Sequence, residues 1–163
     1  MFKSKIVALA LCAATIVSVP MSYDRAVAAK KAPAVIGEPA AGKGQIVFYR
    51  TGGLVGAAIS CNVRENDALI GGLSGGKYFV VQVQPGKHTY TTKSEAKDTL
   101  NMEIESGDTY YVRCTIGAGV MAGRPNLSPV DKAAFDEKSG GLKLKTTEQL
   151  AKEVEKDTKK KSK

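Results

Sequence analysis

The chain has 163 residues, which is enough for one domain and marginal for two. Its formal net charge is +8, and residues 143–163 contribute +4 of that with eight lysines and four acidic side chains. Because the excess charge lies in this terminal segment and not in a stripe along a domain, nucleic-acid binding is excluded from the leading hypotheses. His88 is the single histidine, which excludes a metal site built from several histidines.

The amino-terminal segment has the three parts of a secretory signal peptide. Two lysines precede an uncharged apolar run at residues 6–19, and small residues surround a cleavage site after Ala28 or Ala29. As a helix the run would span about 21 Å, less than the roughly 30 Å of a bilayer's hydrocarbon core. We therefore expect residues 1–29 to be removed, leaving no membrane span and a periplasmic or secreted protein.

Residues 30–44 are rich in Ala, Pro, Gly and Lys, which is typical of a flexible linker, so order is expected to begin near Gln45. From there apolar and polar residues alternate with the period of two that half-buried strands require. We predict seven strands, at residues 45–50, 57–64, 68–73, 77–83, 87–93, 100–105 and 109–116. Turn residues separate them and no helical period interrupts them. Residues 45–142 are therefore predicted to form an all-β domain, a small antiparallel sandwich with one solvated face per sheet.

Residues 143–163 are predicted to form a lysine-rich helix and tail. Thr146 and Gln149 match a capping box at its start. Leu150 and Val154 provide only a thin apolar stripe, so we expect this helix to be solvated and frayed. The preceding segment, 126–144, is ambiguous, and the pattern fits either an eighth strand or a short helical turn.

The two cysteines that remain after cleavage indicate a disulfide. Cleavage removes Cys12, which follows Leu11 and lies too early in the apolar run for a lipid-modified cysteine. Cys61 and Cys114 both fall on apolar faces of predicted strands, and an even pair in an exported chain favours a bond. The alternative is two buried free thiols, which behave as small hydrophobic groups. A catalytic thiol is disfavoured because it needs an exposed, electropositive setting.

One glycine-rich motif has the spacing of a phosphate-binding loop but lacks its chemistry. The spacing from Gly71 to Lys77 fits, yet Tyr78 stands where Ser or Thr would ligate magnesium, and a strand follows where a helix is needed. We interpret the motif as a glycine-rich hairpin between two strands. His88 has no nucleophile pattern around it and is predicted to be a surface or structural residue. No cofactor is predicted.

Short motifs at the turns of the predicted domain carry a family resemblance. Phe-Tyr-Arg ends the first strand at 48–50, Pro-Gly-Lys-His forms a turn at 85–88, and Gly-Asp-Thr-Tyr-Tyr-Val occupies 107–112. With the glycine-containing turn at 70–73, they make residues 45–116 resemble DUF2846, a bacterial domain family of unknown function. The Pro-Gly-x-His turn is also similar to that of the PEGA module, a small β-sandwich of cell-envelope proteins. The resemblance implies an envelope location and brings no catalytic residues with it.

The leading hypothesis is an exported, non-catalytic binding module of the cell envelope, with an envelope protein or a glycan as its partner. Tyr78, Tyr90 and Tyr111, assigned to solvated strand faces, and the glycine-rich segment 117–123 are the predicted contact surface. Tyrosine is also a common strand residue with no binding role. The alternative is a structural envelope protein held to anionic polymers by residues 143–163. A third hypothesis is a hydrolase whose site the sequence does not reveal.

Overall fold

The computed structural model of the protein describes residues 31–54, 56–94, 96–119 and 123–162. The predicted signal peptide and Cys12 therefore lie outside the described residues, as does the middle of the 117–123 segment. The elements in chain order are β1 (Gly44–Arg50), β2 (Cys61–Glu65), β3 (Ala68–Leu73), β4 (Lys77–Val83), β5 (Gly86–Lys93), β6 (Lys97–Ile104), β7 (Thr109–Gly117), β8 (Arg124–Val130), α1 (Lys132–Ser139), β9 (Lys143–Leu144) and α2 (Thr147–Lys161).

The strands form two sheets, which confirms the predicted β-sandwich. One sheet has five strands in the order β8-β7-β1-β4-β9, and the other has four in the order β3-β2-β5-β6. The seven predicted strands are β1 to β7, and β8 and β9 add to them. Two pairs, β1 with β7 and β4 with β9, run parallel, so the sandwich is not wholly antiparallel. Parallel neighbours need long connections, and the whole four-stranded sheet lies between β1 and β7 in the chain.

The main core lies between the two sheets and is centred on aromatic rings. Phe48 of β1 stacks on Phe79 of β4, with ring centroids 5.3 Å apart, and meets Tyr90 of β5 edge-on at 5.2 Å. Cys61 of β2 and Cys114 of β7 form a disulfide between the sheets, which confirms the predicted bond. All five residues are buried. The disulfide thus covalently joins two layers that otherwise meet through packed side chains.

The three tyrosines that the sequence assigned to solvated faces are buried. Tyr90 has no exposed area because its side of β5 packs against Phe48 of the opposite sheet. Tyr78 and Tyr111 lie on the outer side of the five-stranded sheet, but each is only 7% exposed. The ring of Phe135 in α1 covers both, at centroid distances of 6.0 and 5.0 Å. The prediction that these side chains form an exposed platform is therefore wrong.

A second core on the outer face of the five-stranded sheet accounts for this burial. Phe135 is fully buried there and meets Tyr49 of β1 edge-on, at a centroid distance of 5.1 Å. Ala34 and Ile36 pack against the same cluster, and the Ala34 N–H donates to Ser139 Oγ at 2.9 Å. The segment before β1, predicted as a flexible linker, therefore contacts the domain. This segment is held in place because its apolar side chains pack against the apolar outer face of the sheet.

We predict that replacing Tyr90 with phenylalanine stabilises the protein. The Tyr90 hydroxyl is buried and has no hydrogen-bond partner in the described part of the chain, which costs free energy. Tyr90→Phe is expected to raise the free energy of unfolding by about 1 kcal/mol in urea denaturation. Tyr110→Phe is the control, because the Tyr110 hydroxyl accepts from the Glu105 N–H at 3.0 Å and its loss should destabilise. A destabilising Tyr90→Phe would mean that the hydroxyl is satisfied in solution.

Candidate binding cleft

The glycine-rich motif joins the two sheets and does not form the predicted hairpin. It runs from the end of β3 in the four-stranded sheet to the start of β4 in the five-stranded sheet. Gly71 and Gly72 lie in β3, where a side chain would collide with its neighbours. A Cβ on Gly71 would come within 2.8 Å of Phe79 Cζ and 2.9 Å of Leu150 Cδ2. The two glycines therefore let α2 lie close against β3, which is an outer strand of its sheet.

Two side chains from the carboxyl-terminal segment satisfy the outward-facing backbone groups of Gly72 in this strand. The Gly72 N–H donates to Glu153 Oε2 at 3.1 Å, and Lys145 Nζ donates to the Gly72 carbonyl at 2.6 Å. Lys145 and Glu153 also pair with each other. An uncovered outer strand would present these groups to other chains. The predicted solvated helix is thus docked, and its capping box at Thr146 is present as predicted.

A second contact fixes the far end of α2. Arg64 of β2 donates to both carboxylate oxygens of Asp157, with Nη1 2.9 Å from Oδ2. Hydrogen bonding by Arg64 lowers the pKa of Asp157 below its usual range. The turn between β2 and β3 adds the Asp67 carbonyl, which accepts from Arg64 at 2.9 Å and from Lys161 Nζ at 2.7 Å. The helix is therefore held to the sheet at both ends.

A polar cleft of about 280 Å³ lies between α2 and the four-stranded sheet. Its lining consists of Ser60, Asn62, Leu69, Gly72, Ser74, Lys145, Glu153, Lys156, Asp157 and Lys160. Lys145 and Glu153 neutralise each other, and Asp157 is neutralised by Arg64. Lys156 and Lys160 are exposed and make no ion pair with the rest of the described chain. Lys160 lies near enough to Asp157 to help lower its pKa, but Arg64 already pairs with that carboxylate. The wall formed by α2 therefore keeps an excess of positive charge, with two exposed lysines one helical turn apart.

His88 is part of a separate charged pair on β5. Its Nδ1 lies 2.5 Å from Glu65 Oε1, and its Nε2 lies 2.8 Å from the Gln84 carbonyl oxygen. Both neighbours are acceptors when Glu65 is ionised, so the protonated ring, which carries hydrogen on both nitrogens, satisfies both contacts. Burial alone would lower the pKa of His88, but the hydrogen bonds to Glu65 and Gln84 outweigh it and raise the pKa. The predicted structural role for His88 is consistent with this geometry.

We predict that the His88–Glu65 pair stabilises the fold at acidic and not at alkaline pH. A raised folded-state pKa means that the contribution is complete below the unfolded pKa of about 6.5. It is lost as the pH rises through the folded-state pKa. The difference in unfolding free energy between wild type and Glu65→Gln should therefore be largest below about pH 6.5 and should shrink as the pH is raised from there into the alkaline range in urea titrations. Glu103→Gln, an exposed carboxylate on β6, is the control. A difference that is constant across this range would contradict the prediction.

Across the described ranges, no cluster of three or more His, Cys, Asp or Glu side chains is arranged to hold a metal ion. Among those same residues, no helix has the length and apolar character needed to cross a membrane. The predicted contact segment at 117–123 contributes exposed residues 117–119 and the half-buried Gly123, while its centre lies outside the described residues.

Comparison with known proteins places the sequence in a family. The profile of a family described as "Protein of unknown function (DUF2846)" matches residues 40–125, more than half of the chain. The chain belongs to the DUF2846 family. This confirms the resemblance carried by residues 45–116. The DUF2846 match covers β1 to β7 and both disulfide cysteines, and it ends at the start of β8, so the helical wall of the cleft lies outside it.

A relative with a longer match is a protein of Haemophilus influenzae described as "Uncharacterized protein". It is 28% identical over 132 residues, covering 80% of this DUF2846 chain and 76% of the relative. No solved structure matches this chain. The similarity to the PEGA module stays a prediction.

Proposed function

We propose that this DUF2846 protein is a non-catalytic binding module of the cell envelope that holds an anionic envelope polymer in the cleft beside α2. The observation that carries the proposal is the pair of exposed lysines that line the cleft, Lys156 and Lys160, which form no ion pair among the described residues. Asn62, Ser60 and Ser74 line the same cleft and offer neutral hydrogen-bonding groups. A polymer with regularly spaced carboxylates or phosphates has the charge and the acceptor oxygens that this surface can bind.

The position of the acidic residues supports a local site over a diffuse positive tail. Glu153 and Asp157 lie on the cleft side of α2, where they would repel an anion if they were free. Both are instead paired, Glu153 with Lys145 and Asp157 with Arg64. These pairs remove the repulsion and at the same time hold the cleft wall in place. The remaining field at the cleft is positive.

Envelope location is part of the proposal and rests on two features. The sequence at residues 1–29 has the pattern of a cleaved signal, and the Cys61–Cys114 bond is of a kind that persists in oxidising compartments. Intact mass of the protein recovered from cells tests both. A chain that starts at Ala29 or Lys30, lacks two hydrogens and resists alkylation until it is reduced supports export. A chain that starts at Met1 with alkylated thiols would overturn it.

The binding test compares two double variants of equal charge. Lys156→Glu with Lys160→Glu reverses the cleft charges, while Lys143→Glu with Lys152→Glu reverses two exposed lysines that do not line the cleft and form no ion pair among the described residues. Affinity for purified peptidoglycan and for inorganic polyphosphate is measured at low and high salt. We expect the cleft variant to lose at least about tenfold in affinity and the control variant to lose less than about threefold.

Two results would change the interpretation. Equal losses in both variants would mean that residues 143–163 act through their overall charge, as in the alternative structural hypothesis. Binding that neither variant nor added salt weakens would overturn the anionic-partner proposal. Circular dichroism of each variant establishes that α2 is retained, because helix loss would remove the cleft together with the charges.

A further inference from the structure

Arg50 is a buried cation at the end of β1 with only uncharged partners. The residue is 4% exposed. Its guanidinium donates to three backbone carbonyls, at Gly56 (2.6 Å), Leu73 (3.4 Å) and Ile59. The loop that connects β1 to β2 therefore wraps around this side chain. Three of the five N–H groups of the guanidinium are used in this way, which leaves two.

The absence of a carboxylate partner distinguishes Arg50 from Arg64 and Lys145, two cations that are also shielded from solvent. Arg64 and Lys145 each contact a carboxylate, whereas no acidic side chain of the described chain contacts Arg50. Burial without a compensating charge lowers the pKa of the Arg50 guanidinium. A buried charge is usually paired or neutralised, because leaving it unpaired costs stability. An anionic ligand would supply the missing charge.

A pocket of about 260 Å³ lies beside this residue. Its wall is made by Arg50, residues 51–54 of the loop, and Cys114, Thr115 and Ile116 of β7. The backbone N–H groups of Gly52, Gly53 and Leu54 donate to no other described residue. Successive free N–H groups next to a cation are a recurrent arrangement for binding anions. The pocket shares no lining residue with the cleft beside α2.

The rim of the pocket is apolar on one side. Leu54 is 97% exposed, and the half-buried Ile116 also lines the pocket. A ligand that bound only through charge would leave this apolar surface in water. A ligand with an apolar group next to its anionic group would cover both.

We propose that this pocket binds a carboxylate attached to an apolar group, with Arg50 and the N–H groups of residues 52–54 holding the carboxylate and Leu54 contacting the apolar part. The planar carboxylate matches the geometry of a guanidinium better than a spherical anion does. Such a group occurs on small organic acids and on the carboxyl terminus of a peptide with an apolar last residue. The site is independent of the proposed polymer-binding cleft.

The test follows backbone amide shifts in nitrogen-15 spectra of the protein recovered from cells. Titrations use butyrate and butyramide, and N-acetyl-Ala-Leu as the free acid and as the amide. We expect saturable shifts of the Gly52, Gly53 and Leu54 amides with an acid and none with the corresponding amide. Shifts with both acids support the site as one for small apolar acids, and shifts with the peptide acid alone support a chain terminus as the ligand.

Two variants test which residues carry the binding. Leu54→Glu places a negative charge at the exposed rim and is expected to weaken acid binding at least about tenfold. Val35→Glu is the matched control, because Val35 is also exposed, at 93%, and lies outside the pocket wall. Arg50→Gln removes the cation and should abolish binding. If this variant does not fold, the effect of Leu54→Glu on acid binding still tests the proposal. Equal shifts with acids and amides, no saturation, or full binding by Leu54→Glu would overturn the proposal, whatever happens at Lys156 and Lys160.

Discussion

Replacing both Cys61 and Cys114 with alanine is expected to lower the free energy of unfolding by about 4 kcal/mol. The bond joins residues 53 apart in sequence, and closing a loop of that length removes a large entropy from the unfolded chain. The native structure loses little else, because both positions are buried and alanine keeps them apolar. For a domain of about 120 residues the thermal midpoint should fall by roughly 15 °C.

Reduction of the wild-type protein supplies an independent route to the same state. Wild type in reductant should unfold at nearly the same denaturant concentration as the double alanine variant without reductant. The variant itself should not respond to reductant, which excludes effects of the reagent on the rest of the chain. A loss below about 1 kcal/mol would show that the unfolded chain is already restricted without the bond.

This prediction bears on the proposed envelope location. Typical domains are stable by only about 5–15 kcal/mol, so a contribution of about 4 kcal/mol is a large share of the total. If the protein is exported as proposed, the chain would be reduced before export and would then have a much smaller margin against unfolding. Oxidation after export would complete the stability of the fold. An inter-sheet bond suits this role, because it joins the two layers directly.

The strand pattern and the disulfide could be predicted from sequence, because each depends on local alternation. Cys61 and Val63 both lie inward in β2, as the period of two requires, and Asn62 between them is exposed. An eighth strand was one of two alternatives for residues 126–144, because Pro125 and Pro129 weaken a strand pattern, and the structure has both β8 and the helix α1 there. The structure accommodates both prolines because β8 is the outermost strand of its sheet.

The alternation of residues along each strand could not predict that tyrosines on the outer face are buried. Their burial depends on a single residue that is distant in sequence. α1 has no broad apolar stripe, and Phe135 alone supplies its large buried side chain. A signal did exist in β1, where the continuous run from Ile46 to Tyr49 is typical of a strand buried on both faces. That run, considered together with the neighbouring strands, predicts that another element packs over Tyr49.

The cleft was missed for a different reason. α2 docks mainly through side-chain hydrogen bonds to backbone groups of β3 and through ion pairs, and hydrophobic periodicity does not report such contacts. The paired glycines at 71 and 72 were the available signal, since adjacent glycines inside a strand indicate a close approach by another element. Their spacing also matches that of a phosphate-binding loop. The fold does not arrange a phosphate site there, because the strand β4 follows the motif and no helix begins at its end.

The second large effect is expected at Phe135. Replacing it with alanine should lower the free energy of unfolding by about 3–5 kcal/mol, the range for a fully buried phenylalanine. The ring contacts Tyr49, Tyr78 and Tyr111, so its loss opens a cavity over three aromatic side chains at once. Because α1 has no other large buried side chain, the helix cannot compensate by repacking. Urea denaturation followed by tyrosine emission measures the change, since the chain contains no tryptophan.

A control variant distinguishes the loss of stability caused by lost packing from that caused by lower helix propensity. Ala133→Gly weakens the same helix at an exposed position and should cost no more than about 1 kcal/mol. Alkaline titration gives a second readout, because burial raises the pKa of Tyr78 and Tyr111. In Phe135→Ala these tyrosines should ionise at lower pH than in wild type, as water reaches the outer face. If Phe135→Ala costs no more than Ala133→Gly and leaves the tyrosine titration unchanged, α1 does not cover the sheet in solution. The exposed tyrosine surface predicted from the sequence would then be restored at Tyr78 and Tyr111, while Tyr90 would stay within the inner core.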